Sequence, residues 1–72
     1  MSEYLVVLFP RRRRVLLNGE PKGYTNERLE LEGGTYTVSL LQPPLDFTPM
    51  EQVIDLRNTA PMSPMEVIFE EV

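Results

Sequence analysis

The chain contains neither cysteine nor histidine. Without cysteine it has no disulfide framework and no thiolate metal site. Without histidine it lacks the usual general base at neutral pH, the Ser-His and Cys-His nucleophile arrangements and nearly all zinc sites. No apolar run approaches the ~18 residues of a membrane-spanning helix. We therefore expect a protein that is not an enzyme, holds no cofactor and does not span a membrane.

The sequence is also short, since 72 residues are enough for one domain with a small core. Its only early apolar run, residues 4–9, precedes a group of arginines instead of following positive charge, which is unlike a secretory signal. As written, the chain is expected to be cytoplasmic. If it is a fragment of a larger protein, an extracytoplasmic location is the alternative.

The net charge of −4 is unevenly distributed. Residues 1–24 carry five basic and two acidic side chains, whereas residues 25–72 carry two basic and nine acidic ones. An acidic chain with no aromatic side chains between its basic ones is not expected to bind nucleic acid.

The clearest local pattern is an alternation with a period of two. Residues 29–32 read Leu-Glu-Leu-Glu and residues 35–40 read Thr-Tyr-Thr-Val-Ser-Leu, with two glycines between them. This pattern predicts two half-buried strands separated by a glycine turn.

Other stretches have β character too. Asn18-Gly19 follows one of them and favours a tight turn, and Pro21 then restricts the returning strand to a short or edge position. Prolines in residues 42–50 and 58–64 break any helix in the second half. The further predicted strands lie in residues 4–9, 15–17, 52–57 and 65–70.

These elements predict an all-β fold: a small antiparallel β-sandwich of six to seven short strands, forming a single domain over residues 1–72. The expected core consists of the apolar side chains at alternate strand positions: Val6, Leu8, Val15, Leu17, Leu29, Leu31, Tyr36, Val38, Leu40, Ile54, Leu56, Val67 and Phe69.

The order of the motifs from residue 10 to about 57, and more loosely to 70, resembles the PEGA domain. The matching pieces are Val15-Leu16-Leu17 at its V-x-V strand, Asn18-Gly19 at its Asp-Gly turn, Gly23-Tyr24-Thr25 at its Gly-x-Thr-Pro step, then Leu29, Leu31, Gly34, Tyr36, Val38 and Leu40. The resemblance implies a prealbumin-like or Ig-like sandwich that is non-catalytic and acts as a binding or spacer module.

Three departures from the family pattern are visible. Pro10 stands where the Pro-Glu-Gly-Ala tetrapeptide begins, but residues 11–13 are all arginine. Asn26 replaces the proline of the Gly-x-Thr-Pro step, and Pro43-Pro44 with Phe47 occupies the loop where the family has a glycine-aromatic step.

Arg11, Arg12, Arg13 and Arg14 are candidate ligands for an anionic partner. In an extended strand, alternate residues point to opposite faces, so at most two arginines share a face unless residues 10–13 form a loop. If Val15 faces the core, then Arg13 lies on the inward side at the rim and snorkels outward or pairs with a carboxylate. The plainer alternative is a solvated strand start neutralised by Glu3, Glu66, Glu70 or Glu71.

A second candidate surface lies in and near the proline loops. Phe47, Met50, Met62 and Met65 offer an adaptable apolar contact surface there. The alternative is that these side chains cap the ends of the core. Asp46, Glu51 and Asp55 are a poor calcium set, because nothing around them resembles an EF-hand loop.

The sequence therefore predicts a non-enzymatic module for protein–protein interaction or structural support. Its partner is expected to be a protein, either another domain or a second copy that pairs with an edge strand. The alternative is an anion- or carbohydrate-binding module that uses Arg11 to Arg14.

Overall fold

A computed structural model describes residues 2–72, and these residues form nine short strands. In chain order they are β1 (Ser2–Leu8), β2 (Arg14–Leu17), β3 (Glu20–Tyr24), β4 (Arg28–Glu32), β5 (Gly34–Leu40), β6 (Phe47–Thr48), β7 (Gln52–Leu56), β8 (Met65–Ile68) and β9 (Glu70–Glu71). The described residues contain no helix, so none of them forms a helix that is long and apolar enough to cross a membrane. The predicted all-β class is confirmed.

Two sheets enclose one core, as expected for a small sandwich. The first is three-stranded, with the order β4-β1-β8, and the second is four-stranded, with the order β3-β2-β5-β7. A short β6–β9 pair joins the chain's last residues to the segment before β7. All pairings are antiparallel except that of β1 with β8. That parallel pairing has no local sequence signal, because parallel neighbours are joined by long connections and not by a tight turn.

The β2–β3 hairpin forms as the sequence predicts. Asn18 and Gly19 have φ angles of 53° and 83°, which is the combination that a tight two-residue hairpin turn requires. β3 pairs only with β2 and so lies at the edge of its sheet, where the missing N–H of Pro21 is tolerated.

The two alternating strands β4 and β5 also form, but they are not paired with each other. Only Gly33 separates them, yet β4 belongs to the three-stranded sheet and β5 to the four-stranded sheet. Gly34 has a φ of 151°, a conformation that L side chains rarely adopt. The glycines therefore carry the chain from one sheet to the other.

The core consists of apolar side chains from both sheets. Buried at 5% exposure or less are Leu5, Val7, Phe9, Val15, Leu17, Val38, Leu40, Phe47, Leu56, Val67 and Phe69. Leu29, Leu31, Tyr36, Ile54 and Met65 are partly buried against them. Most of the predicted core is therefore found, with two corrections.

The first correction concerns the orientation of β1. Val6 and Leu8 were expected in the core, but Leu5 and Val7 point inward and are fully buried. β1 is the central strand of its sheet, and it is apolar at consecutive positions. A strand without alternation carries no information about which face is inside.

The second correction concerns Phe47, which was expected as an exposed loop side chain or an end cap. It is only 2% exposed. Its ring makes edge-to-face contacts with Phe9, at 6.4 Å between centroids, and with Phe69, at 5.8 Å. All three phenylalanines of the chain thus form one cluster, and pairs of this geometry stabilise a core beyond their area burial.

Hydrogen bonds join the start of β1 to the segment after β7. The Thr59 amide and hydroxyl donate hydrogen bonds to Glu3 Oε1 at 2.9 and 2.6 Å, and the Tyr4 amide donates to Thr59 Oγ1 at 2.7 Å. These hydrogen bonds favour the charged carboxylate and so lower the pKa of Glu3. Glu3, one of the carboxylates expected to neutralise Arg11 to Arg14, thus has its hydrogen-bond partner in Thr59.

The orientation of β1 is testable with two neighbouring valines. Val7→Ala removes a fully buried side chain and should lower the free energy of unfolding by about 2–3 kcal/mol. Val6→Ala, on the half-buried opposite face, should lower it by less than about 1 kcal/mol. Chemical denaturation measures both, and equal losses, or a larger loss for Val6→Ala, would contradict the orientation.

Candidate functional site

The arginine run begins in a loop and not in a strand. β1 ends at Leu8 and β2 begins at Arg14, so residues 9–13 connect the two sheets. We call residues 9–13 the arginine loop. Only Arg14 has strand pairing, opposite Tyr24 of β3. The side-chain directions of the first three arginines are therefore set by what holds this loop.

Thr25 holds the arginine loop through three hydrogen bonds. Its hydroxyl accepts from the Arg13 amide at 2.8 Å and donates to the Arg11 carbonyl at 2.7 Å. Its own amide donates to the Arg13 carbonyl at 2.9 Å. Thr25 is the one buried polar side chain of the described residues, and these bonds satisfy its hydroxyl both as a donor and as an acceptor.

Asn26 secures the first residues of the same loop. Its amide donates to the Val7 carbonyl at 2.7 Å, and its side chain accepts from the Phe9 amide at 3.2 Å and donates to the Phe9 carbonyl at 2.8 Å. Its φ is 65°. Proline has neither an N–H nor access to positive φ, so it could not take the place of Asn26 here.

Arg13 points inward at the rim, as strand parity predicted. Its guanidinium donates to the Asp46 carboxylate, to the Leu41 carbonyl at 2.5 Å and to the Pro44 carbonyl at 2.9 Å. It also lies 5.6 Å from the centroid of the Phe47 ring, and its side chain is only 12% exposed. Its carboxylate partner is Asp46, which was not among the expected glutamates.

Arg11 turns away to the end of the chain. Its Nε lies 2.5 Å from Glu71 Oε2, and this carboxylate raises the pKa of Arg11. Glu71 was one of the carboxylates expected to neutralise the run. Both side chains are solvent-accessible, so the pair contributes little to stability.

Arg12 and Arg14 remain together, on the outside of the four-stranded sheet. Their guanidinium carbons lie 4.0 and 4.9 Å from the centroid of the Tyr24 ring. Arg12 is also 3.4 Å from Glu27. Within residues 2–72 no carboxylate lies within ion-pair distance of Arg14. The four arginines thus do not form one site, and only these two share a face.

The four side chains suggested for a loop interface are dispersed. Phe47 is in the core, and Met65 is partly buried against it. Met50 is exposed just before β7, whereas Met62 is exposed beyond the other end of β7. The methionines therefore do not form a common loop surface.

The outer face of the four-stranded sheet carries an apolar strip that sequence reasoning missed. Leu16 lies opposite Ser39, and the amide of Leu41 donates to the Arg14 carbonyl at 3.0 Å, which places Leu41 next to Arg14. We call Leu16 and Leu41 the apolar strip. Val53 lies on the same face but on the far side of β5, opposite Thr37, so Thr37 and Ser39 separate it from the strip. The sequence did contain a signal for this surface. Leu16 alternates with its buried neighbours on β2, so it points to the opposite face of the sheet.

Open grooves run over the described surface, and two of them lie near the arginine loop or the outer face. One, of about 450 Å³, crosses this outer face between Leu16, Leu41 and Met50. The other, of about 420 Å³, lies at the ends of β1 and β8 beside Pro10 and Ile68. Among residues 2–72, no group of three or more acidic side chains is arranged to hold a metal ion.

No family model, no curated protein and no solved structure matches this chain.

The role of Thr25 is testable with two substitutions. Thr25→Val keeps the shape but removes the hydroxyl, so the Arg13 amide and the Arg11 carbonyl lose their partner, and the free energy of unfolding should fall by about 1–3 kcal/mol. Thr25→Ser keeps the hydroxyl. Hydrogen exchange at the Arg13 amide should therefore accelerate in the valine variant and stay slow in the serine variant. Equal exchange in both would contradict the role.

Proposed function

We propose that this protein is a non-enzymatic β-sandwich module that binds another protein through the outer face of its four-stranded sheet. The observation that carries the proposal is the exposure of Leu41, Met50 and Val53, at 45%, 60% and 68%, on or beside that face. The solvent-facing side of an antiparallel sheet is normally polar. An apolar patch with polar surroundings is typical of an interaction surface.

The shape of this surface supports the same proposal. The groove of about 450 Å³ has Leu16 and Leu41 in its lining together with the hydroxyls of Thr37 and Ser39. Apolar side chains supply the contact area, and a few polar groups fix the orientation of what binds.

The strand edges are less suited to a partner than the face. β3 carries Pro21 and an irregular register against β2, and both features protect an edge from further pairing. β4 presents exposed Glu30 and Glu32. On the other side of the sandwich, the Gln52 side chain of β7 donates to the Ile68 carbonyl of β8 at 2.8 Å, which links these two edge strands to each other.

Within this proposal, we interpret the protein as a PEGA-like module. Support comes from the order of the elements: strand β2 at the V-x-V position, the Asn18-Gly19 turn, then β3, β4 and β5. Thr25, the threonine of the Gly-x-Thr-Pro step, has a defined role in holding the arginine loop. Modules of this kind serve as binding or spacer units and carry no catalytic residues.

A site made of all four arginines has less support. Arg13 is occupied by Asp46 and two backbone carbonyls, and Arg11 by Glu71. An anion would have to displace these partners. Only the pair Arg12 and Arg14 is placed to contact a ligand.

Photo-crosslinking tests the proposal. A photoreactive residue placed at Val53 should crosslink to a protein in an extract of the source cells, and the additional change Leu41→Asp should abolish the crosslink because it places a charge in the apolar strip. The captured protein, once purified, should shift the amide resonances of Leu16 and Leu41 saturably.

The matched control places the same residue at Met62, which is almost fully exposed and follows Pro61, whose carbonyl accepts a hydrogen bond from Arg28 of the three-stranded sheet. Crosslinking from position 62 that equals crosslinking from position 53, or no protein capture from position 53, would contradict the proposal.

A further inference from the structure

The apolar strip of the outer face has a cationic end. Tyr24 and Arg14 are register partners on β3 and β2, and Arg12 approaches the same ring from the arginine loop, with its guanidinium carbon 4.0 Å from the centroid. Leu41, the first residue after β5, lies next to Arg14 of β2. Two guanidinium groups, one aromatic ring and an apolar strip are therefore continuous across three neighbouring strands.

The positive charge at this end is available for a ligand. Arg12 is 66% exposed, and Glu27 at 3.4 Å is itself more than half exposed, so this pair is weak and easily exchanged. Arg14 has no carboxylate within ion-pair distance among residues 2–72. Arg11 and Arg13 are less available to a ligand, because each has a close carboxylate partner.

Stacking on Tyr24 prepares these arginines for binding. A guanidinium that lies over an aromatic face loses side-chain freedom, but it keeps the N–H donors at the rim of its plane. Those donors match the geometry of a carboxylate, which accepts two parallel hydrogen bonds.

We propose that the partner segment is an acidic peptide stretch with apolar anchors. Its Asp or Glu carboxylates bind Arg12 and Arg14, and its apolar side chains lie along the strip formed by Leu16 and Leu41. This inference rests on the proposed function and adds the chemistry of the partner to it.

The surrounding charges favour a peptide over a nucleic acid. Away from the two arginines, the outer face is acidic: Glu51 lines the groove, and Asp55 of β7 lies opposite Thr35. The chain carries a net charge of −4, which repels a long polyanion. A short peptide needs positive charge only at its acidic residues. Its apolar residues lie where the face carries no positive charge.

An NMR titration with three synthetic peptides tests the inference. The peptides have about eight residues, within the usual range of strand lengths, and share the same leucines and phenylalanine after a short stretch of Glu, Gln or Lys. The Glu peptide should shift the amides of Arg12, Arg14, Leu16 and Leu41, and it should bind about tenfold more tightly than the Gln peptide. Raising the salt from roughly 50 to 200 mM should reduce this preference.

Substitutions then assign the preference to the arginines. The double variant Arg12→Gln, Arg14→Gln should bind the Glu and Gln peptides equally. The matched control is Arg28→Gln, which removes an arginine that lies 5.7 Å from the ring of Tyr4 on the other sheet. This control should retain the tenfold preference, and loss of the preference in it would overturn the assignment.

The other outcomes separate the inference from the proposed function. Equal binding of the Glu and Gln peptides by the wild-type protein overturns the acidic partner but leaves a protein-binding face. No shift on the outer face with any of the peptides contradicts both. Tighter binding of a single-stranded oligonucleotide than of the Glu peptide, at the same arginines, overturns the inference in favour of nucleic acid.

Discussion

The contact between Arg13 and Asp46 is the interaction on which the organisation of this molecule depends. The guanidinium binds the carboxylate and the carbonyls of Leu41 and Pro44, so it fixes the proline loop between β5 and β6. Phe47 follows Asp46 directly and enters the core between Phe9 and Phe69. A nearly buried charge of this kind is tolerated only when its donors are satisfied, and here the loop supplies the acceptors.

The same arrangement explains why a run of four arginines does not make a four-arginine site. Thr25 and Asn26 hold the arginine loop through their side chains and amides, which sends Arg13 inward and leaves Arg12 outside with Arg14. The arginine that holds the proline loop and the two that lie on the outer face therefore come from consecutive residues. In the function proposed above, a protein segment lies on the apolar strip next to the two outer arginines.

Much of the fold was predictable because its signals are local. Asn18-Gly19 specified a hairpin turn, and the alternation in residues 29–40 specified two strands. Features that depend on residues far apart in the sequence could not be predicted. The orientation of β1 was predicted wrongly because its apolar residues are consecutive. Phe47 was left open between a loop surface and an end cap of the core, because its burial comes from contacts with Phe9 and Phe69, which are distant in the sequence. Strand parity did place Arg13 at the inward rim, but the sequence contains nothing that selects Asp46 over the other carboxylates.

A double-mutant cycle on Arg13 and Asp46 tests this account most directly. Arg13→Gln, Asp46→Asn and the double variant are compared by chemical denaturation, with a parallel cycle on the exposed pair Arg57 and Asp55. We expect a coupling energy of about 1–3 kcal/mol for the Arg13–Asp46 pair and about 0.5 kcal/mol or less for the exposed pair. An Arg13–Asp46 coupling no larger than that of the exposed pair would contradict the account.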